Sequence, residues 1–403
     1  MKIRYLIIFL AIIVSCSTSK YGGEIVPQLL YANEELVHQL RKDYNDGDPE
    51  VVALVSNLIK CAEDVLDEGP FSVIQKEIVP PSGDMHDYIS QGPYWWPDTT
   101  KADGLPYIRR DGVVNPEREK FTDRANLSRV ITNTQQLSWA YFFTGEEKYA
   151  EKTAELLSTW FIDDSTKMNP NLEFGQGIPG ITEGRGIGII ETSRIGKIAD
   201  AVELIKNSSH WNEKLNTEMQ NWMKEYLHWL THSEKGLKES VHPNNHGTWY
   251  DVQAISLAIF TGQDSVARAI AERAKKLRFD RHIMADGSQP EELSRTRSFS
   301  YSAMNLRGLF LLAYLAENLD IDLWHYVNEN GATPEQALRF LVPAAIGNEE
   351  WEYEQIKPIA DDALKFHLFL ATKVYNDEYI QIANMLPEGQ DNMKCEDIEL
   401  YFY

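Results

Sequence analysis

The sequence predicts an all-α chain, folded as an (α/α) toroid: an incomplete barrel of helical hairpins with long functional loops. Three observations lead there. Apolar residues recur at helical spacing along most of the 403 residues. Strict apolar–polar alternation, the mark of half-buried strands, is scarce. A hairpin pattern also recurs at Ser138–Tyr149, Leu257–Val266 and Phe369–Tyr379, each an apolar helix, a Gly or Asn turn, then an amphipathic helix. Gly or Asn suits the left-handed cap between paired helices. Hairpins that cover one another's apolar faces build toroids and solenoids.

The elements follow in chain order. Lys2 and Arg4 precede a short apolar run, Leu6 to Val14, and Ile13-Val14-Ser15-Cys16 has the form of a lipoprotein cleavage box. The run is too short for a spanning helix, so residues 1–15 are expected to be an export signal, with Cys16 lipidated. Residues 16–25 would be a tether and residues 26–403 one domain. No acidic run follows Cys16, which favours the periplasmic face of a bacterial outer membrane over the cell surface.

Within the domain, Leu127, Val130, Ile131, Thr134, Leu137 and Tyr141 lie on one helical face, as do Tyr149, Thr153, Leu156, Leu157 and Trp160. Further helices are read over Ile195–Ile205, Leu215–Leu230 and Val252–Ile259, then Ser302–Asn318, Pro334–Ala345 and Ala360–Tyr375. Two stretches break the pattern. Val79 to Pro116 is rich in Pro, Gly, Asp and aromatics, and Asn169 to Gly188 is rich in Gly. Loops this long inside a compact domain are usually functional. Neither carries a phosphate-cradling GxGxxG after a strand.

The net charge is −22, which argues against a nucleic-acid partner. An acidic ligand would require positive charge concentrated locally against that field. Cys61 and Cys395 remain once Cys16 is set aside; one disulfide is open to them, and nothing in the sequence demands it. His242 and His246 are four apart, but Pro243 keeps them out of one helix interior, so no metal and no cofactor is assigned.

The chemistry concentrates in two segments. Asn244-Asn245-His246-Gly247-Thr248-Trp249-Tyr250 supplies neutral amide donors and an imidazole near physiological pH. Arg295, Arg297 and Tyr301 supply cations and a phenol. Together they suit removal of a proton next to a carboxylate: amides and imidazole neutralise the carboxylate as an oxyanion hole does, and a phenol exchanges protons. Asn245 and His246, about 100° apart on a regular helix, converge only at a helix start or turn, which His242-Pro243 makes plausible. One of Asn244 and Asn245 is expected to be an N-cap. Arg297 and Tyr301, four apart, would share a helical face, where a guanidinium lowers a phenol's pKa; a surface Arg stacked on a Tyr is the competing reading. Tyr94, Trp95, Trp96 and Tyr107, off helical spacing, suit sugar stacking, and Arg109 and Arg110 suit carboxylates; a loop pinned to the core by its Trp residues is equally compatible with them. Gln176 and Trp249 complete the expected substrate-binding set. The rival chemistry is glycoside hydrolysis by paired acids among Asp163-Asp164, Glu191, Glu291-Glu292 and Asp361-Asp362; the non-enzymatic rival is a glycan-binding lipoprotein that uses the aromatic loop alone.

On these residues the chain resembles the alginate lyase superfamily of all-α polysaccharide lyases. Asn-Asn-His-x-x-Trp and Glu-Leu-x-Arg with its downstream Tyr resemble polysaccharide lyase family five. Tyr94-Trp-Trp-Pro-Asp, Gly104 to Gly112 and Met168-Asn-Pro-Asn-Leu are similar to the wider group. Gly184-Arg-Gly-Ile-Gly-Ile-Ile-Glu191 most resembles family thirty-eight of gut Bacteroides. The resemblance spans roughly residues 80 to 310. It implies a toroid with a tunnel or cleft, no metal, and β-elimination of β-1,4-linked uronates such as alginate or glucuronan by a monomer. It implies Asn245 and His246 at the substrate carboxylate, Tyr301 as acid or as base and acid, His246 as an alternative base, and an assisting arginine. The Arg295-to-Tyr301 interval is one residue shorter than in family five. That departure leaves both arginines open to the role; Arg295 is expected as the assisting residue by the Glu-Leu-x-Arg match, with Arg297 second.

Overall fold

The computed structural model describes residues 28–387, Cys395 and residues 402–403. The expected signal, Cys16 and the whole tether lie outside the described residues. The described chain opens with α1 (Glu34–Asp46) and α2 (Pro49–Val65), which the apolar spacing had not singled out. Both are framed by strong local signals. Asn33 caps α1 and Gly47 ends it in the left-handed region, at φ 82°; Asp48 caps α2 with Pro49 in its first turn. Then come α3 (Asp123–Thr144), α4 (Glu147–Leu157), α5 (Ile198–Ile205), α6 (Glu213–His232), α7 (Glu234–Ser240), α8 (Asn245–Phe260) and α9 (Asp264–Ala274). Two short turns, α10 (Asp280–His282) and α11 (Pro290–Leu293), lead to α12 (Ser298–Glu317), α13 (Pro334–Ala345), α14 (Lys365–Val374) and α15 (Glu378–Ala383).

The helices pair as hairpins and the hairpins pack side by side, giving an (α/α) toroid of the incomplete-barrel kind. α3 packs on α2, α4 and α5; α8 packs on α6, α9 and α12; α12 packs on α13 and α14. α8 and α12 are buried nearly all round, as befits the innermost helices of the ring. One continuous core runs through these elements, and a smaller cluster around Val37, Val55, Trp139 and Phe402 seals α1 and α2 to the outside of α3.

Two of the three hairpin turns use the expected device: Gly145 (φ 70°) and Gly262 (φ 69°) are left-handed. The third does not. α14 ends at Tyr375 in right-handed backbone, and Asn376 is not at positive φ. α14 also begins at Lys365 rather than near Ala360, and α12 begins at Ser298, four residues before the periodic stretch.

The long loops are not structureless. Val79–Pro116 holds β1 (Ile89–Gln91) and an antiparallel hairpin of β2 (Trp95–Trp96) and β3 (Ile108–Arg109), in which Trp95 faces Arg109 and Trp96 faces Ile108. Asn169–Gly188 holds β4 (Phe174–Gly177), which pairs parallel with β1. Strands of two to four residues carry too little alternation to be read from sequence. Glycine is required where the second loop folds back on itself: a Cβ on Gly188 would lie 2.6 Å from the Gly175 carbonyl carbon. Cys61 and Cys395 form a disulfide, so the pairing that sequence left open is made. No helix of the described residues is long and apolar enough to cross a membrane.

Candidate active site

The loops and helix ends enclose a cleft of about 590 Å³. The start of α8 contributes Asn244, Asn245 and His246. The segment before α12 contributes Glu291, Ser294 and Arg295, and α12 itself contributes Tyr301 and Met304. Pro93, Tyr94, Trp95 and Arg109 come from the β2–β3 region, and Gln176 from β4. The 3₁₀ segment Gly186–Thr192 and its flanks bring Arg185, Glu191 and Arg194, and Arg118 and Arg124 come from around the start of α3. In a chain of net charge −22, this lining holds six arginines (109, 118, 124, 185, 194, 295) against two glutamates (191, 291). That is the local reversal of charge an acidic ligand needs.

α8 begins at Asn245, so the two neighbouring side chains do converge at a helix start. Asn244 is the N-cap, in extended backbone, and its Oδ1 accepts from the His246 N–H at 3.1 Å. Glu292 accepts from Asn245 twice, at the backbone N–H (2.6 Å) and at Nδ2 (2.8 Å). With these first backbone donors already taken, an anion at this helix end meets side chains rather than main chain. Asn245 Oδ1 is buried and has no hydrogen-bond partner among the described residues. Turning the amide over, with the Glu292 carboxyl that burial raises to about 7 protonated and donating to Oδ1, presents Nδ2 to an acidic ligand.

The segment is held from beneath by Arg278. This fully buried guanidinium pairs with Asp251 (Nε to Oδ2, 2.8 Å) and donates to the carbonyls of Ser240 (2.5 Å) and His242 (3.1 Å). Gly247 gives it room: a Cβ there would meet Arg278 Nη1 at 2.5 Å.

His246 lies in the cleft with Nδ1 2.8 Å from Glu239 Oε1, a carboxylate whose side chain is only 1% exposed. A carboxylate at Nδ1 takes that nitrogen's proton as its hydrogen bond and leaves Nε2 as the basic atom. His242 stands beside it, ring centres 5.2 Å apart, and burial pushes its imidazole below the ordinary range.

Tyr301 faces Tyr94, hydroxyl to hydroxyl at 2.6 Å. The Arg295 guanidinium lies over the Tyr301 ring, 4.0 Å from its centre. Burial pushes the Tyr301 phenol above its ordinary range, the hydrogen bond to Tyr94 adds to this, and Arg295 pulls the other way without prevailing. The expected pairing of Arg297 with Tyr301 and the expected lowering of the phenol are therefore both corrected. Arg297 precedes α12, at φ −127° and ψ 53°, and its backbone bridges Gln355. Helical spacing does not apply across that boundary, and Arg297 is not part of the cleft lining.

The aromatic loop divides. Tyr94 and Trp95 line the cleft; Trp96, Tyr107 and Arg110 do not. Trp96 donates to the Val113 carbonyl (3.0 Å) under the Arg110 guanidinium. The Tyr107 hydroxyl is bound to Glu117 (2.7 Å). Trp249 is 7% exposed and packs against Gly308 of α12, which makes it a core residue. Gln176 lines the cleft in left-handed backbone (φ 50°), with its Oε1 accepting from Arg185 at 3.0 Å. Such backbone in a residue other than glycine is uncommon and concentrates at functional sites.

Of the acids of the hydrolytic rival, Glu191 and Glu291 line the cleft, and three of the set are committed to other hydrogen bonds. Glu191 accepts from Tyr88 and Ser90, and burial raises its carboxyl. Glu292 holds Asn245, and Asp163 closes a turn on Ser165.

Glu239, Glu292 and Asp111 were not expected as supports of the site. Glu292 is 47 positions from Asn245 and Asp111 is 184 from Arg295, distances at which no local spacing rule operates. Only Glu239, seven residues before His246, lay near enough to be suspected.

The alginate lyase family model matches residues 72–351. No curated protein matches the chain. Among solved structures, an alginate lyase from Bacteroides ovatus superposes with a TM-score of 0.88 at 34% identity, over 94% of this chain and 100% of that one. Alginate lyase A1-III from Sphingomonas species A1 is similar in fold, with a TM-score of 0.52 at 18% identity over 86% of this chain and 94% of that one. A variant of alginate lyase A1-III complexed with a tetrasaccharide gives 0.56 at 18% identity, over 89% and 96%. With the family model covering more than half its length, the chain belongs to the alginate lyase family and is a polysaccharide lyase.

Proposed function

We propose that this lyase cleaves β-1,4-linked uronate polymers, alginate first and glucuronan second, by β-elimination at the cleft between α8 and α12. The supporting observation is the meeting of Asn245, His246, Tyr301 and Arg295 in one arginine-rich cleft. In this reading Asn245 and His246 bind the carboxylate of the unit that loses its proton, and neutralise it as charge builds in the aci-carboxylate. Tyr301 returns a proton to the departing glycosidic oxygen. For mannuronate, where proton and leaving group share a sugar face, Tyr301 first gives up its own proton to solvent; the phenolate, steadied by Arg295, then takes the sugar proton and hands it to the leaving oxygen. For guluronate, where they lie on opposite faces, His246 Nε2 is the base. A phenol kept protonated by burial and by Tyr94 is suited to the acid role, and Arg295 steadies the phenolate that forms.

Tyr301→Phe tests the assignment. Turnover on polymannuronate is expected to fall by about 10³-fold, the scale of a lost general acid–base, while oligomannuronate binding stays within about threefold. A rate within tenfold of the wild type removes Tyr301 from the role.

We also propose export and lipid anchoring at Cys16, on the periplasmic face, with the enzyme acting as a monomer. The support is the apolar run and the Ile13-Val14-Ser15-Cys16 box. Cys16→Ser is expected to move the protein from the membrane fraction to the soluble fraction. Unchanged membrane association contradicts the anchor.

A further inference from the structure

Asp111 stands in the turn after β3. Its carboxylate accepts four hydrogen bonds from the segment that leads into α12. Oδ2 takes Arg295 Nε (3.1 Å), the Thr296 N–H (3.3 Å) and Thr296 Oγ1 (3.1 Å); Oδ1 takes Arg295 Nη2 (2.8 Å). A fifth comes from its own hairpin, from Arg109 Nη2 at 2.6 Å. Gly112, at φ 71°, allows the approach, because a Cβ there would lie 2.5 Å from Thr296 Oγ1. The guanidinium gripped in this way is the one that lies 4.0 Å over the Tyr301 ring.

An arginine side chain loses much rotamer freedom when fixed, and nothing about a phenyl face alone fixes the plane of the guanidinium. A bidentate carboxylate does, because the fork of two N–H donors sets the plane as well as the distance. Burial alone would raise the Asp111 carboxyl, but the hydrogen bonds and charge of Arg295, with Thr296 and Arg109, bring it down to about 2. It is therefore a charged anchor at any working pH.

We propose that Asp111 is a positioning residue for the elimination: it holds the Arg295 guanidinium flat against Tyr301 and offsets its charge, so that Arg295 serves the phenol instead of swinging to a substrate carboxylate. The proposal rests on the role given to Tyr301 above. Asp111 acts on the reaction only through Arg295, and it ties the aromatic hairpin to the catalytic segment at a second point beside the Tyr94–Tyr301 contact.

The test is a double-mutant cycle on polymannuronate with Asp111→Asn and Arg295→Ala, alone and combined, each checked for its thermal midpoint. Asp111→Asn is expected to lower kcat by about 10- to 100-fold, the scale of a displaced positioning group, with KM changed less than about threefold. In the Arg295→Ala background it is expected to cost nothing further. A kcat within about twofold of the wild type, or the same fractional loss in both backgrounds, overturns the proposal. A crystal structure of Asp111→Ala, or of Asp111→Asn if the former does not fold, is the arm that needs no activity. Arg295 displaced from the Tyr301 face is expected, and Arg295 unmoved overturns the proposal. Because that arm reads Asp111 directly, a wild-type enzyme idle on every polyuronate would count against the substrate assignment alone.

Discussion

Glu292 meets Asn245 at two points, 2.6 and 2.8 Å, and burial pushes its carboxyl from 4.5 up to about 7, against the pull of Asn245, Arg295 and His246. The folded chain therefore holds this proton more tightly than the unfolded one. Stability from this group is full below about pH 4.5 and is lost as the pH rises to about 7, a difference of about 3 kcal/mol. Glu292→Gln should flatten that slope: in urea unfolding, the wild type should lose about 3 kcal/mol more than the variant between those pH values. Parallel profiles would show that Glu292 does not titrate in this window. The sequence displays Glu292 only as half of an acidic pair, equally suited to hydrolysis. Its partner across the fold, not its neighbours in the chain, tells the two uses apart. Asn245, His246 and Tyr301 were legible because each sits in a compact motif of unusual side chains. Arg295 was legible only through the Glu-Leu-x-Arg resemblance, since the helical rule favoured Arg297 and failed at the helix boundary.

At the scale of elements, the start of α8 carries the proposed carboxylate-binding pair, and its stability depends on a buried ion pair. Arg278 and Asp251 are 0% exposed, and removing one partner of such a pair costs about 3–5 kcal/mol, because the other charge is left stranded. Asp251 also pairs with Arg273 at 2.6 Å, which places Arg278→Met toward the lower end, about 3 kcal/mol in denaturant unfolding. A loss under about 1 kcal/mol would mean that the pair is not what secures this segment. Most of the longer helices were legible from a 3.6-residue period; α2, whose buried Val51, Leu54, Val55, Leu58, Cys61 and Ala62 keep that period, was not singled out. α13 occupies Pro334–Ala345, the range its period marks, framed by the Thr333–Gln336 capping box. α1 and α2 bury one face against α3 and the C-terminal Phe402, partners distant in sequence. The short strands had no period to show. What fixes β1 is tertiary: the Ile89 N–H donates to Asp123 (2.9 Å), itself paired with buried Lys76 (2.6 Å).

Across the whole molecule, a strongly acidic surface surrounds a cleft lined by six arginines. The toroid makes this arrangement possible. Its two innermost helices are buried along most of their length, and their first turns bring Asn245 and Tyr301 to the cleft beside the hairpin that carries Tyr94 and Asp111. Net charge alone disfavoured an acidic substrate; only the folded chain reveals that the cations are gathered in one place. The central claim is that this place eliminates rather than hydrolyses, and that uronates are its substrates. The most direct measurement is digestion of polymannuronate, polyguluronate and glucuronan while recording the ultraviolet absorbance of a new C4–C5 double bond alongside new reducing ends. The two are expected to rise together, one double bond per new reducing end, on at least one alginate block. New reducing ends without that absorbance, or no cleavage of any of the three, would contradict it.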